Sequence, residues 1–161
     1  ISKYDELTGL LNLRGFTEQI KNFCSKSEHQ RAYIICADLD HLKEINDTWG
    51  HPAGNFALRS VANIFNGCLR SQDIVARTGG DEFLILLNCQ EKNFQDIFRK
   101  RVRDACAAFN AESGKPFLVE VSLGITEFKP SPETDIPAII EHADKDLYEA
   151  KKLRKNSVRR P

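Results

Sequence analysis

The feature that most constrains the fold is a pair of apolar segments separated by two glycines. Residues 73–77 (DIVAR) and 82–87 (EFLILL) are short and aliphatic, which is typical of β-strands. Gly79 and Gly80 lie between them, and glycine tolerates the positive φ angles that tight hairpins need. The pattern therefore predicts a two-residue hairpin, which forces an antiparallel pair of strands into the sheet.

Helical and strand patterns alternate along the rest of the chain. Apolar residues recur at helical spacing in residues 16–24, 55–69, 94–110 and 136–153, and a short helix after residue 40 ends near Gly50. Continuous apolar runs in residues 32–40 and 117–128 are typical of buried strands. The order is helix, strand, two helices, hairpin, helix, strand, helix. We therefore predict an α/β fold with one mixed central sheet.

Composition limits the classes of function. A chain of 161 residues suits one domain, and we expect a single domain over residues 1–161, cut from a longer regulatory protein. The 23 basic residues balance the 23 acidic ones, so net charge indicates neither a nucleic-acid partner nor direct membrane contact. No apolar stretch approaches the roughly 20 residues of a membrane helix.

The cysteines indicate a reducing compartment. Their number is odd and no C-x-x-C motif occurs among Cys24, Cys36, Cys68, Cys89 and Cys106. This pattern favours free thiols over a disulfide framework or a zinc site. We therefore expect a cytoplasmic domain, which is compatible with a full-length protein attached to a membrane.

Acidic residues mark the ends of two predicted strands. Asp38 and Asp40 close the strand at 32–40, while Asp81 and Glu82 begin the strand after the glycines. If the strands are neighbours, Asp38 and Asp81 converge on one edge of the sheet. Converging carboxylates repel one another unless a cation lies between them, and such oxygen ligands suit Mg²⁺ beside a triphosphate. The alternative is that these acids only cap strands and solvate a turn.

Four segments in a fixed order resemble one known family. They are DELTGLLNLRGF (5–16), DLDHLKEINDTWGH (38–51), RTGGDEF (77–83) and DKDLYEAKKLRKN (144–156). Together they resemble the GGDEF family of diguanylate cyclases, and the resemblance covers essentially the whole chain.

The resemblance implies a fold and an activity. The expected fold is a central sheet wrapped by helices, similar to nucleotidyl cyclases and polymerase palms. The expected activity joins two GTP molecules into cyclic di-GMP and releases two pyrophosphates. Each subunit would hold one GTP with two Mg²⁺ (or Mn²⁺) ions, and the site would be complete only when two subunits of a homodimer face each other.

The resemblance also implies roles for individual residues. Asp38, Leu39 and Asp81 match the metal contacts, and Glu82 matches an acid that assists the metals or proton transfer. Lysines would contact the phosphates, asparagines the guanine edge, and the two glycines would let the backbone approach the nucleotide. The implied substrate contacts are Leu39, Asp40, His41, Leu42, Lys43, Asn46, Asn55, Gly79, Gly80, Lys151 and Lys155.

The chain departs from the family pattern at two positions. Asn55 stands where an aspartate normally accepts hydrogen bonds from guanine, and Arg154 stands where a glycine precedes a basic residue. The alternative role for Asn55 is a cap on the following helix, and for Asn46 a helix-terminating residue. For Lys152 and Arg154 we expect only a solvated helix end.

A second site is implied upstream of the glycines. Arg70 and Asp73 match the family's R-x-x-D inhibitory site, where product cyclic di-GMP binds, and Arg101 is a candidate third contact. The planar guanidinium of arginine suits bidentate contacts to a guanine edge or a phosphate. The alternative is an exposed ion pair worth less than about 1 kcal/mol.

Three hypotheses about function follow from the sequence. The first is an active diguanylate cyclase. The second is a degenerate receptor or regulatory module that binds GTP or cyclic di-GMP without turnover. The third is a cyclase whose base preference is relaxed by Asn55.

Overall fold

The computed structural model describes residues 1–26 and 29–158, with side chains as far as Arg154. The elements in chain order are α1 (Leu13–Cys24), β1 (Ala32–Leu39), α2 (Leu42–Trp49), α3 (His51–Cys68), β2 (Ile74–Arg77), β3 (Glu82–Leu87), α4 (Gln95–Ser113), β4 (Val121–Phe128) and α5 (Ile136–Val158). This order of helices and strands is the predicted one. None of the helices in the described ranges is long and apolar enough to span a bilayer.

The four strands form one sheet in the order β2-β3-β1-β4. All three neighbouring pairs are antiparallel, so the α/β fold is confirmed but the prediction of a mixed sheet is wrong. The crossover through α2 and α3 does bring β2 back in the same direction as β1. However, β3 lies between them, and the parallel relation never becomes a pairing. A single parallel bridge, Leu11 to Ala76, extends the β2 edge.

Two local predictions need correction. The hairpin loop spans four residues, 78–81, and neither Gly79 nor Gly80 has a positive φ, because the Thr78 N–H donates to the Glu82 carbonyl (3.0 Å) across a wider turn. The last strand begins at Val121 rather than at residue 117. The Asn110 side chain of α4 holds both the N–H and the carbonyl of Val119 at 2.9 Å, which draws that segment away from the sheet.

The sheet is covered on both faces, which explains its continuous apolar strands. Alternate residues of a strand point to opposite faces. Tyr33 and Ile35 of β1 pack into the core formed with α2, α3 and α4, while Ile34 and Cys36 belong to the second core, with α1 and α5. Even-numbered residues of β1 therefore face α5. By the same alternation, Asp38 is on the α5 side of the sheet.

All five cysteines are buried and free, which confirms the prediction of free thiols. Burial disfavours the charged thiolate form most strongly at Cys36 and Cys106. It raises the pKa of Cys36 to about 12 and that of Cys106 to about 11. Because the thiolate is the reactive form, these two side chains are inert near neutral pH.

Candidate metal and nucleotide site

The sheet brings three carboxylates together at one end. Asp38, near the end of β1, is paired directly with Glu82 at the start of β3, and the Leu39 N–H donates to the Asp81 carbonyl at 2.9 Å. One carboxylate oxygen from each of Asp38, Asp81 and Glu82 lies within 4.8 Å of the other two. The antiparallel register is the cause, because it places the end of β1 beside the start of β3. We call these three residues the acid cluster.

The acid cluster is electrostatically unfavourable when only protein groups are present. Burial, followed by the charge of Asp38, raises the pKa of Asp81 above its ordinary value of 3.8. Burial, then Asp38 and Asp81, likewise raise the pKa of Glu82 above 4.5. Like charges placed directly opposite in a sheet destabilise it. A divalent cation would relieve this repulsion, so the donor set fits Mg²⁺ or Mn²⁺.

Lys151 of α5 supplies a positive charge to the acid cluster. Its ammonium forms an ion pair with the Asp38 carboxylate, which α5 can reach because Asp38 is on that side of the sheet. Burial opposes the charge of Lys151, but the hydrogen bond and charge of Asp38 outweigh it, and the pKa of Lys151 is raised. Lys151, which the family resemblance implies is a substrate contact, therefore lies beside the acid cluster.

Arg77 holds the glycine loop to the first segment of the chain. Its guanidinium donates to the Gly80 carbonyl from Nε (3.1 Å) and Nη2 (2.9 Å), and Nη1 pairs with the Asp5 carboxylate at 2.9 Å. Burial opposes the Asp5 charge, yet hydrogen bonds from Thr8 and the charge of Arg77 lower its pKa overall. Sequence reasoning missed this pair, although Asp5 and Arg77 are the first residues of two quoted motifs.

The two glycines differ in their surroundings. A Cβ on Gly79 would lie 2.9 Å from the Glu82 Oε2, whereas a Cβ on Gly80 would meet no atom within 4 Å. A residue larger than glycine at position 79 would therefore require the end of the Glu82 side chain to move. The open space beside Gly80 leaves its backbone accessible, as the substrate role implied by the sequence requires.

The start of α2 lies at the same end of the sheet. Asp40 follows β1 directly, and its N–H donates to the Glu120 carbonyl at 2.8 Å. His41 adopts a left-handed conformation (φ 61°), and no side chain caps the helix that begins at Leu42. Lys43 is exposed in the first turn. A helix N-terminus presents N–H groups and a positive dipole end, which together favour an anion such as phosphate.

Asn46 and Asn55 lie on packed neighbouring helices. A Cβ on Gly54 of α3, directly before Asn55, would lie 1.8 Å from the Asn46 Oδ1, so a larger residue there would displace the Asn46 side chain. The Asn46 Oδ1 is buried and has no hydrogen-bond partner. A buried polar atom without a hydrogen-bond partner costs free energy. The Asn46 Oδ1 is therefore consistent with an acceptor for a hydrogen-bond donor on a ligand.

The alternative roles for these two residues are wrong. Asn46 lies within α2, four residues before the capping Gly50, and so does not terminate the helix. Asn55 is exposed in the second turn of α3, whose N-cap is Gly50, and so does not cap it.

The R-x-x-D motif forms a hydrogen-bonded turn. The Asp73 carboxylate accepts the N–H groups of Arg70 and Asn88, each at 2.9 Å. The exposed Arg70 guanidinium donates to the Asn88 carbonyl at 3.3 Å, so the alternative role, an Arg70–Asp73 ion pair, is replaced by bonds to the backbone. Arg101 of α4 is exposed nearby and donates to the Cys68 carbonyl at 3.4 Å.

The end of α5 carries one contact that the sequence did not predict. Arg154 is exposed, as expected for a solvated helix end, but it also pairs with Asp40 and Glu120, which the sequence did not indicate. Lys152 is exposed, as expected. The side chain of Lys155 lies outside the described residues.

Comparison with known proteins identifies the class. Residues 2–157 match the family model "Diguanylate cyclase, GGDEF domain". Diguanylate cyclase A of Treponema denticola is 36% identical over 126 residues, which cover 78% of this chain and 34% of that protein. The chain therefore belongs to the GGDEF family of diguanylate cyclases, and it spans about a third of that relative's length.

Solved structures agree with this assignment. The diguanylate cyclase SiaD of Pseudomonas aeruginosa, solved in complex with its activator SiaC, matches with a TM-score of 0.82 and 32% identity over 94% of this chain and 58% of that chain. The GGDEF domain of DgcB from Caulobacter crescentus, solved in complex with c-di-GMP, matches with a TM-score of 0.78 and 25% identity over 94% of this chain and 91% of that chain. Both confirm the GGDEF fold.

Proposed function

We propose that this chain is an active diguanylate cyclase. In the proposed reaction, the 3′-oxygen of each GTP forms a bond to the α-phosphorus of the other, and each α–β phosphoanhydride bond breaks. Two GTP molecules thus give one cyclic di-GMP and two pyrophosphates, with one GTP held by each subunit of a homodimer. The observation that carries the proposal is the acid cluster beside an open glycine loop and an uncapped helix N-terminus.

The acid cluster has the donor set for divalent ions. Asp38, Asp81 and the backbone of Leu39 would hold two Mg²⁺ or Mn²⁺ ions per site, and Glu82 would assist them or accept a proton. When bound, such ions stabilise charge at the α-phosphate and lower the pKa of the attacking hydroxyl. The raised pKa values of Asp81 and Glu82 support this reading, because crowded acids are a mark of a functional site.

Other residues would bind and orient GTP. The N–H groups of residues 41–42, at the start of α2, would donate to the phosphates, because those of Leu39 and Asp40 already donate to the Asp81 and Glu120 carbonyls. The exposed Lys43 and the half-buried Lys151 would contribute positive charge. Lys151 would then exchange part of its contact with Asp38 for phosphate. Asn46 would use its unpaired buried oxygen toward the guanine edge, with Asn55 beside it on α3. Lys155 retains its implied role as a prediction.

Cyclic di-GMP would also bind away from the acid cluster. The exposed Arg70 guanidinium lies at the far end of β3, with Arg101 on neighbouring α4. Asp73 holds the turn that presents Arg70, and its oxygens retain lone pairs for a guanine N–H. We propose product inhibition at this site. We also propose a cytoplasmic location, because the cysteines are free thiols and GTP is a cytoplasmic nucleotide.

A product assay tests the main proposal. The purified 161-residue chain would be incubated with Mg²⁺ or Mn²⁺ and with GTP, ATP or their mixture, and products would be identified by mass spectrometry. We expect cyclic di-GMP and pyrophosphate in a 1:2 ratio from GTP alone, with a specific rate that rises with protein concentration as two subunits pair. Binding of GTP without any cyclic dinucleotide would instead identify a regulatory module.

Asn55 favours a second candidate, a cyclase with relaxed base preference. A carboxylate offers two acceptors to guanine, whereas the exposed Asn55 amide offers one acceptor and one donor group. The mismatch costs about 1–3 kcal/mol, or roughly 5- to 150-fold in affinity. Asn55→Asp should raise GTP affinity by that factor and leave the melting temperature little changed.

Calorimetry of GTP binding checks this expectation. The matched control is Asn63→Asp, because Asn63 is exposed on the same helix and the charge change is identical. A cyclic dinucleotide containing adenine from the mixed reaction would support relaxed preference. Equal GTP affinity in wild type and Asn55→Asp would refute the idea.

A further inference from the structure

Arg154 joins three side chains at the end of the sheet that carries the acid cluster. Its Nη1 contacts the Asp40 carboxylate and lies 3.3 Å from the Ser122 Oγ, and its Nη2 contacts the Glu120 carboxylate. Arg154 is three residues beyond Lys151 on α5, so the two cations lie on the same side of the helix. One planar guanidinium thus connects α5 to the residue after β1 and to the start of β4.

Asp40 is the residue through which this contact can affect the site. Its side chain is only 10% exposed and accepts a hydrogen bond from the Ser122 Oγ at 2.7 Å. Its N–H donates to the Glu120 carbonyl at 2.8 Å. Directly after it, His41 adopts its left-handed conformation and α2 begins. The orientation of Asp40 therefore fixes where the first turn of α2 lies.

The charges make Arg154 the dominant partner in this contact. It is the cation that contacts both Asp40 and Glu120, while Lys151 is paired with Asp38. Arg154 and Glu120 are partly exposed, whereas the Asp40 side chain is only 10% exposed, so Asp40 is the group most affected when Arg154 is removed. Without Arg154, the Asp40 and Glu120 carboxylates would lose this partner beside the start of α2, where they would repel each other and any bound phosphate.

We propose that Arg154 is a positioning residue that fixes the Asp40–His41 turn and thereby sets the phosphate-binding geometry at the start of α2. The inference rests on the proposed function for its link to GTP. It is particular to this chain, because the family pattern that the sequence otherwise follows has glycine at this position. Glycine has no side chain that could make these contacts.

The test compares Arg154→Ala with Lys152→Ala, because Lys152 is an exposed basic residue on the same part of α5. The first readout is amide hydrogen exchange of residues 40–45, which requires no activity. The second is the affinity for a non-hydrolysable GTP analogue with Mg²⁺, measured by calorimetry. We expect Arg154→Ala to speed exchange in residues 40–45 by about tenfold and to weaken analogue binding by about tenfold, as expected for loss of a charge-assisted bond.

Arg154→Lys keeps the positive charge but loses the planar guanidinium that contacts two carboxylates at once. Its exchange rate and analogue affinity should therefore lie between those of wild type and Arg154→Ala. Melting temperatures establish that each variant is folded. Exchange and affinity equal to those of Lys152→Ala would overturn the proposal, and so would faster exchange with unchanged affinity. If the wild-type chain binds no GTP analogue, the proposed function fails, and the exchange comparison alone decides whether Arg154 fixes the turn.

Discussion

Acidic side chains lie beside both ends of β3, but their hydrogen bonds and neighbouring charges differ. After its last residue, the Asn88 N–H donates to Asp73, whose two oxygens each accept a backbone N–H at 2.9 Å. At its start, Asp81 and Glu82 face Asp38, and their pKa values are raised. Both carboxylate oxygens of Asp73 thus have hydrogen-bond donors, which stabilises the turn. Repulsion within the acid cluster is expected to cost stability, and this supports the proposed role of the cluster in metal binding.

The largest expected effect comes from removing one acid of the cluster. Asp81→Asn should lower cyclic di-GMP production by about 100-fold or more, because the loss of a charged metal ligand removes several kcal/mol of transition-state stabilisation. Without metal, the same change should leave the melting temperature equal or higher, because it relieves repulsion from Asp38. Product formation and thermal melting in a chelator measure the two effects.

Asp104→Asn is the control, because Asp104 is an exposed acid on α4 with only a surface pair to Lys100. It should change neither quantity beyond experimental error. A fall of several degrees in the metal-free melting temperature of Asp81→Asn would contradict the view that the cluster is destabilising.

At the other end of β3, replacing the acid Asp73 is expected to lower stability. In Asp73→Asn, one carboxylate oxygen becomes an NH₂ group facing a backbone N–H, so a charge-assisted bond is lost. Unfolding free energy should fall by about 1–3 kcal/mol. Urea denaturation measures it, and Mg²⁺ binding at the acid cluster should be unchanged. Stability equal to wild type would show that the turn does not depend on this acid.

Sequence reasoning predicted that Asp38 and Asp81 converge on the condition that their strands are neighbours. The two-residue periodicity of strands located both acids at strand ends, and the pairing of β1 with β3 meets the condition. Periodicity also predicted the order of the helices and strands, and the odd number of cysteines without a C-x-x-C motif predicted the free thiols. The order of the elements predicted the wrong sheet type, since the strand that follows a crossover need not lie beside the strand that precedes it.

The contacts that sequence reasoning missed join residues far apart in the chain. Arg77 reaches Asp5 across 72 positions, and Arg154 reaches Asp40 across 114. No periodicity encodes such pairs, because an exposed arginine and a paired one look alike in sequence. Asn110 likewise redirects Val119 through a side-chain contact that overrides strand propensity. The roles of individual site residues in binding GTP stay predictions.

A smaller effect is expected from Arg70, which lies beside Asp73. The Asp73 carboxylate accepts the Arg70 backbone N–H, so the turn does not depend on the Arg70 side chain. Arg70→Ala keeps the backbone N–H that Asp73 accepts and removes only the exposed guanidinium. Cyclic di-GMP affinity should fall by about tenfold, as one charge-assisted bond is lost. Calorimetry measures it, with Arg103→Ala on α4 as an exposed control. Unchanged affinity would mean that the product binds elsewhere.

The smallest expected effect is the pH dependence of stability that the acid cluster produces. Asp81 and Glu82 have raised pKa values when folded, so the folded chain binds more protons just above 3.8 and 4.5 than the unfolded chain does. Stability without metal should therefore rise as pH falls from 7 into that window. Asp5 behaves oppositely: its pKa is lowered, so its contribution is present above 3.8 and is lost as pH falls through its lower folded value.

Chelator-containing melts at stepped pH would isolate this contribution by comparing wild type with an Asp81→Asn, Glu82→Gln double variant. The gain in wild-type melting temperature between pH 7 and pH 5 should exceed that of the double variant, because only the wild type has these acids to protonate. Saturating Mg²⁺ should reverse the sign, since protons then compete with a bound cation and stability rises with pH. Identical pH profiles for the two proteins without metal would remove the electrostatic basis for treating the acid cluster differently from Asp73.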